Sequence, residues 1–139
     1  MSDVVARTDE GLKASLLIAY GLYLLALITG GLGAIAGVIV VYLRRADARG
    51  TLWQSHCRNL LWVFWIGVAV SVVMLGIVLQ GAGSLAWSLF HTEGNPPPAL
   101  VGGLLALVPV LYLGAVLFVV WYLYRTVRGL IRALDSQPY

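Results

Sequence analysis

Asn59–Gln80 reads NLLWVFWIGVAVSVVMLGIVLQ, a run without a single Asp, Glu, Lys, Arg or His. As a helix it extends about 33 Å at ~1.5 Å of rise per residue, enough to cross the ~30 Å hydrocarbon core of a bilayer. Two further stretches, 16–43 and 99–124, are equally free of charge, and all nine Lys and Arg residues lie outside the three. A helix satisfies its own backbone groups, which is what lipid demands. The pattern predicts an all-α fold: a polytopic transmembrane helix bundle of three spans, about 16–43, 59–80 and 99–124, in one integral membrane domain over 1–139.

Composition agrees. The 139 residues are 60% hydrophobic and 11% charged, with a mean hydropathy of +0.90. A water-soluble fold of this size could not cover so much apolar surface. One cysteine, Cys57, excludes an intrachain disulfide. Ala34-Ile35-Ala36 resembles a signal-cleavage site, but the apolar run before it exceeds the usual ~7–15 residues and the leader mixes Arg7 and Lys13 with Asp3, Asp9 and Glu10. An uncleaved first span is expected.

Charge placement orients the chain. The loop 44–58 carries Arg44, Arg45, Arg49 and Arg58 against Asp47, and the tail 125–139 carries Arg125, Arg128 and Arg132 against Asp135. The loop 81–98 has no Lys or Arg. The positive-inside rule makes the first loop and the C-terminus cytoplasmic and the 81–98 loop external. Three spans then leave the N-terminus outside. A second geometry competes for the first stretch: Thr29-Gly30-Gly31-Leu32-Gly33 can break a helix. A hairpin there would return the N-terminus to the cytoplasm. Two full crossings need about 40 residues, so a single long or kinked span is preferred, with a second kink at Pro109 of the third.

Small residues recur at helical spacing as Ala26-xxx-Gly30, Gly33-xxx-Gly37, Gly67-xxx-Ser71 and Gly102-xxx-Ala106. Such faces let helices approach closely in lipid, which points to a compact bundle and allows a homo-oligomer. Aromatics gather at the expected cytoplasmic boundary (Tyr42, Trp53, Trp62, Trp65, Trp121, Tyr122, Tyr124), where amphipathic rings suit the headgroup level.

The polar segments hold the remaining information. Thr51 and Gln54 have capping-box spacing, so a helix starts near Leu52 with Trp53, Cys57 and Leu60 on one face and Gln54 and Arg58 on another. Trp53 is expected in the lipid interface, with His56 at the elbow hydrogen-bonding a neighbouring loop. His56 lacks the partners a metal site needs, and His91 lies across the membrane from it, so the two cannot ligate one haem. After the third span, Val127, Leu130, Ile131 and Leu134 oppose Arg125, Arg128 and Arg132. That reads as an amphipathic extension on an anionic leaflet. The outer loop is expected to end in a stiff Pro96-Pro97-Pro98 spacer. No phosphate-binding glycine signature, zinc spacing, paired carboxylates or Ser/His/Asp set occurs, and no ionisable residue sits within a span to couple ions. Neither an enzyme, a cofactor nor a nucleic-acid partner is expected.

Arg44-Arg45-x-Asp47-x-Arg49-Gly50-Thr51, then Trp53, Ser55-His56-x-Arg58 and Phe64-Trp65, resemble a family of small uncharacterised proteobacterial inner-membrane proteins. That family is distantly related to the Tic20-like import component of the chloroplast inner envelope. Trp121-x-x-Tyr124-Arg125-x-x-x-Gly129, Pro138-Tyr139 and Tyr20-Gly21-Leu22 through Gly37 and Tyr42 extend the resemblance over most of the chain. Cys57, Leu60, Trp62 and Val63 depart from the family pattern and leave the entry to the second span less polar. The resemblance implies a multi-pass inner-membrane protein and makes Ser55, His56 and Arg58 the first positions to test. Taken together, a structural or interaction subunit of a membrane complex is expected, with an oligomeric channel or protein-translocation-related component as the alternative. The channel reading would draw on Thr29, Ser71, Gln80 and Tyr112.

Overall fold

The computed structural model describes residues 2–91 and 94–139, with side chains from residue 9 onward. The side chains of Asp3 and Arg7, and Thr92 and Glu93 of the outer connection, lie outside the described residues. Among the described residues every element is helical: α1 Ser2–Leu25, α2 Leu32–Arg44, α3 Trp53–His91 and α4 Pro98–Leu134. Two of them, α3 and α4, are long and apolar enough to cross a membrane. In their most apolar windows, 6% and 0% of residues are buried. Apolar surface left that open is what a lipid-facing helix presents.

The stretch 16–43 is two helices, which corrects the preferred single span. The chemistry of the break is local. Gly30 and Gly31 both adopt positive φ (61° and 99°), conformations that favour glycine. The Gly31 amide donates to the Ala26 carbonyl at 2.8 Å, closing α1 in the manner of a Schellman cap. Thr29 then serves both ends: its hydroxyl donates to Leu25 O at 3.0 Å and accepts from the Gly33 amide at 3.0 Å. A polar side chain in an apolar run is thus consumed by the turn.

α2 returns antiparallel along α1, and two glycines permit the close approach. A Cβ on Gly33 would overlap the Leu22 carbonyl, and one on Gly37 would fall 2.6 Å from the Tyr23 ring. At 13 residues α2 spans about 20 Å, too short to cross the hydrocarbon core unaided.

The chain divides into two compact units, residues 1–66 with 121–139, and residues 67–120. The first unit holds the core. From α1 come Leu12, Leu16, Ala19, Tyr20 and Tyr23, all at 2% exposure or less; Val41, Trp53, His56, Leu60, Val63, Thr126 and Ala133 join them. The tail 125–134 is not a separate interfacial helix. α4 runs unbroken to Leu134 and buries Tyr122, Thr126, Gly129 and Ala133, whereas Val127, Ile131 and Leu134 stay exposed. Small residues, not the branched aliphatic stripe, form the packing face, because Tyr20 occupies the space beside Gly129.

In the second unit α3 and α4 pair antiparallel. Gly67 faces Phe118, Gly114 faces Met74, and Gly81 faces Leu104. Residues 81–91, expected as loop, continue α3: Ser84 donates to Gln80 O at 2.8 Å, and nothing there terminates a helix until Gly94 at φ 80°. Pro98 opens α4, a position where its missing N–H costs nothing, and α4 continues through Pro109. Of the small residues expected to pack, Gly30 is a turn glycine, and a methyl group placed on Gly102 would meet nothing within 4 Å. Ser71 and Ala106 are exposed.

Candidate functional site

The polar residues of the first unit converge on the start of α3. Trp53, Cys57 and Leu60 are buried on one stripe of its first two turns, as the spacing predicts. Trp53 is 3% exposed, which corrects its expected place in the lipid interface. The helix start is capped by the two residues expected to do so: Thr51 Oγ1 accepts from the Trp53 amide at 3.3 Å, and Gln54 Oε1 accepts from the Gly50 amide at 3.1 Å.

His56, on the same stripe, is fully buried with both ring nitrogens engaged. Nε2 lies 2.8 Å from the Gln137 carbonyl, which can only accept, so Nε2 carries the proton. Nδ1 then accepts from the Tyr20 hydroxyl at 3.0 Å. Asn59 Nδ2 donates to the same hydroxyl at 3.4 Å, and Arg125 Nε donates to Asn59 Oδ1 at 2.6 Å. Every donor in the row Arg125–Asn59–Tyr20–His56–Gln137 points the same way. Such aligned bonds polarise one another, and the guanidinium charge at one end reinforces the row.

A neutral imidazole suits this row. Burial pushes the His56 pKa below its ordinary 6.5; the bond to Gln137 opposes the shift and the Arg132 charge adds to it. Burial also pushes the Cys57 thiol up to about 11, although the Arg45 guanidinium pulls it the other way. Cys57 is therefore a protonated packing residue, not a nucleophile.

The row ends on the C-terminal tail, which is fastened at several more points. Lys13 Nζ donates to the Leu134 carbonyl and to Ser136 Oγ, each at 2.9 Å, and so caps the end of α4 with a cation. The Gln137 amide donates to Arg132 O at 2.9 Å around Ser136, which adopts φ 53°. Arg132 reaches Pro138 O at 3.4 Å, and Ser55 Oγ accepts from the Tyr139 amide at 3.0 Å. Tyr139 packs edge-on to His56 with centroids 6.2 Å apart, and the Arg125 guanidinium lies 5.6 Å from the Tyr139 ring and 5.7 Å from Trp121. Lys13, midway along α1, thus meets the end of α4.

The structure thus brings together Trp53, Ser55, His56, Trp121, Arg125 and Arg132 of the expected site residues. It leaves others apart. Phe64 and Trp65 stack edge to face 5.6 Å apart, and Trp65 Nε1 donates to Tyr42 at 3.2 Å. Arg128 donates to Tyr124 at 2.7 Å on the exposed side of α4. Arg58 lines a cavity with Arg45 and Arg49. Missed by sequence reasoning were Lys13, Asn59, Gln137 and the tyrosines. Tyr23 donates to Leu60 O at 2.9 Å, and Tyr122 donates to Tyr23 O at 2.7 Å. The signal for them was tyrosine inside an uncharged run, where a buried hydroxyl needs a partner. Among the described residues, no three His, Cys, Asp or Glu converge. No family model, no curated protein and no solved structure matches the chain.

Proposed function

We propose that this chain is a small multi-pass inner-membrane protein serving as a structural or interaction subunit of a membrane complex. One observation carries the reading. In the first unit Tyr20, His56 and Asn59 bond one another, and His56 and Ser55 fasten the tail to α3. The second unit offers long apolar helix faces with little buried in them. A protein so divided has one unit locked by polar bonds and another fit to pack against lipid or a further helix. The bond from Lys13 to Ser136 and the seven arginines in 44–58 and the tail support a topology of two crossings and one shallow hairpin. The N-terminus, the first loop and the tail are then all cytoplasmic. The Tic20-like resemblance is compatible with a place beside a translocation apparatus.

The test is in-membrane photocrosslinking from exposed sites, Trp62 on α3 and Tyr112 on α4, which are 58% and 71% exposed. His56 and Trp53 are too buried to serve. Recovery of one defined larger membrane protein identifies the complex. Self-crosslinks alone favour a homo-oligomer and call for flux assays in vesicles. Lipid adducts alone overturn the subunit reading.

A further inference from the structure

The first unit contains a cavity of about 470 Å³, within the ~300–1,000 Å³ range of small-molecule sites. Arg45, Arg49 and Arg58 line it together with Thr51, Gln54 and Ser55. Among the described residues no Asp or Glu lines it; the nearest acid in sequence, Asp47, lies 3.6 Å from Arg44, which lies outside the cavity. All three arginines are exposed, so solvent screens their mutual repulsion; an anion entering the cavity would gain charge-assisted bonds from each of them. Guanidinium forks match the oxygens of a phosphate.

The other wall is apolar: Leu52, Cys57 and Leu61. Leu61 belongs to the uncharged run 59–80, so the cavity begins where headgroups end and hydrocarbon starts in the topology above. A free phosphate has no use for an apolar wall, whereas a phosphodiester joined to acyl chains fits both halves. Pro138 completes the lining, so the clamp on the tail also shapes the cavity.

We infer that this cavity is a binding site for the phosphodiester headgroup of an anionic phospholipid, held by Arg45, Arg49 and Arg58. The site rests on the membrane reading of the preceding subsection and adds to it a ligand class and the residues that select it.

The experiment uses the full chain reconstituted in vesicles of phosphatidylcholine with phosphatidylglycerol, then extracted and weighed by native mass spectrometry. The native chain is expected to retain phosphatidylglycerol over phosphatidylcholine by at least tenfold. R49Q/R58Q is expected to lose that preference. R44Q/R128Q removes the same charge from positions outside the cavity and is expected to keep it within twofold. Shielding of the buried Cys57 thiol from maleimide verifies that each variant is folded, and R45Q is read in place of R49Q/R58Q should that variant fail. Equal loss in both double variants overturns the site in favour of general surface attraction. Displacement of the lipid by millimolar inorganic phosphate overturns it in favour of a free anion. Failure of the native chain to enter vesicles at all sinks the membrane reading instead.

Discussion

His56 Nε2 donates to the Gln137 carbonyl at 2.8 Å across 81 positions of sequence, tying the tail directly to a fully buried ring. His56→Ala removes this bond and the acceptor of the Tyr20 hydroxyl. An unsatisfied buried hydroxyl costs about 1–3 kcal/mol. The expected outcome is a lower melting temperature in micelles and faster carboxypeptidase trimming of residues 137–139. Unchanged trimming would show that Lys13 and Ser55 hold the tail unaided.

The same imidazole makes stability depend on pH. Burial, ahead of the Arg132 charge, lowers the folded pKa of His56 from its ordinary 6.5. The unfolded chain therefore binds the proton first, and stability rises with pH in that window. The contribution of His56 is complete above pH 6.5 and is lost as pH falls from 6.5 towards the folded value, with a slope of up to ~1.4 kcal/mol per unit. Protonation also turns Nδ1 into a donor facing the Tyr20 hydroxyl, which interrupts the row at that bond while Nε2 still donates to Gln137. Melting curves between pH 8 and pH 5 should drop more steeply for the native chain than for His56→Gln; parallel curves would refute the assignment.

The helical class is legible from 59–80 alone, because a long uncharged run has one stable form in lipid. So is the first turn of α3, where Thr51 and Gln54 act through short-range geometry. The hairpin at 26–31 is visible as an alternative in Thr29–Gly33. It ranks second as long as length is counted as two full crossings, whereas α2 has only 13 residues. The clamp is not legible. Gln137, Asn59 and Lys13 are ordinary polar residues, and only long-range packing brings them to His56 and the end of α4. Gly129 belongs to the family resemblance, but nothing in the sequence shows that Tyr20 fills the space of its missing side chain.

That gap gives a clean substitution. A Cβ at Gly129 would fall 2.5 Å from Tyr20 Oη and 2.6 Å from its ring. Tyr20 is fully buried and carries the bond to His56, so it cannot move without breaking the row. Gly129→Ala is expected to destabilise by about 1–3 kcal/mol, as overpacking does. Gly102→Ala, which meets nothing within 4 Å, should leave the melting temperature unchanged. Equal behaviour of the two would deny the close fit of Tyr20 against α4.

Topology offers the sharpest check. α1 and α2 fold back on each other at Gly30 and Gly31, and Lys13 meets Ser136 at 2.9 Å. Positions 10 and 136 must then lie on one side of the membrane, whichever side it is. Single cysteines at Glu10 and Ser136, in a Cys57→Ala background, should react with an impermeant maleimide from the same face. A cysteine at Asn95, beyond the far end of α3, should react from the opposite face, since the 39 residues of α3 from Trp53 to His91 extend about 58 Å. Labelling of Glu10→Cys together with Asn95→Cys would restore the single span over 16–43 and dissolve the bond between Lys13 and the tail. Labelling of Glu10→Cys with Ser136→Cys fixes the hairpin as a shallow return, and leaves α3 and α4 as the two crossings.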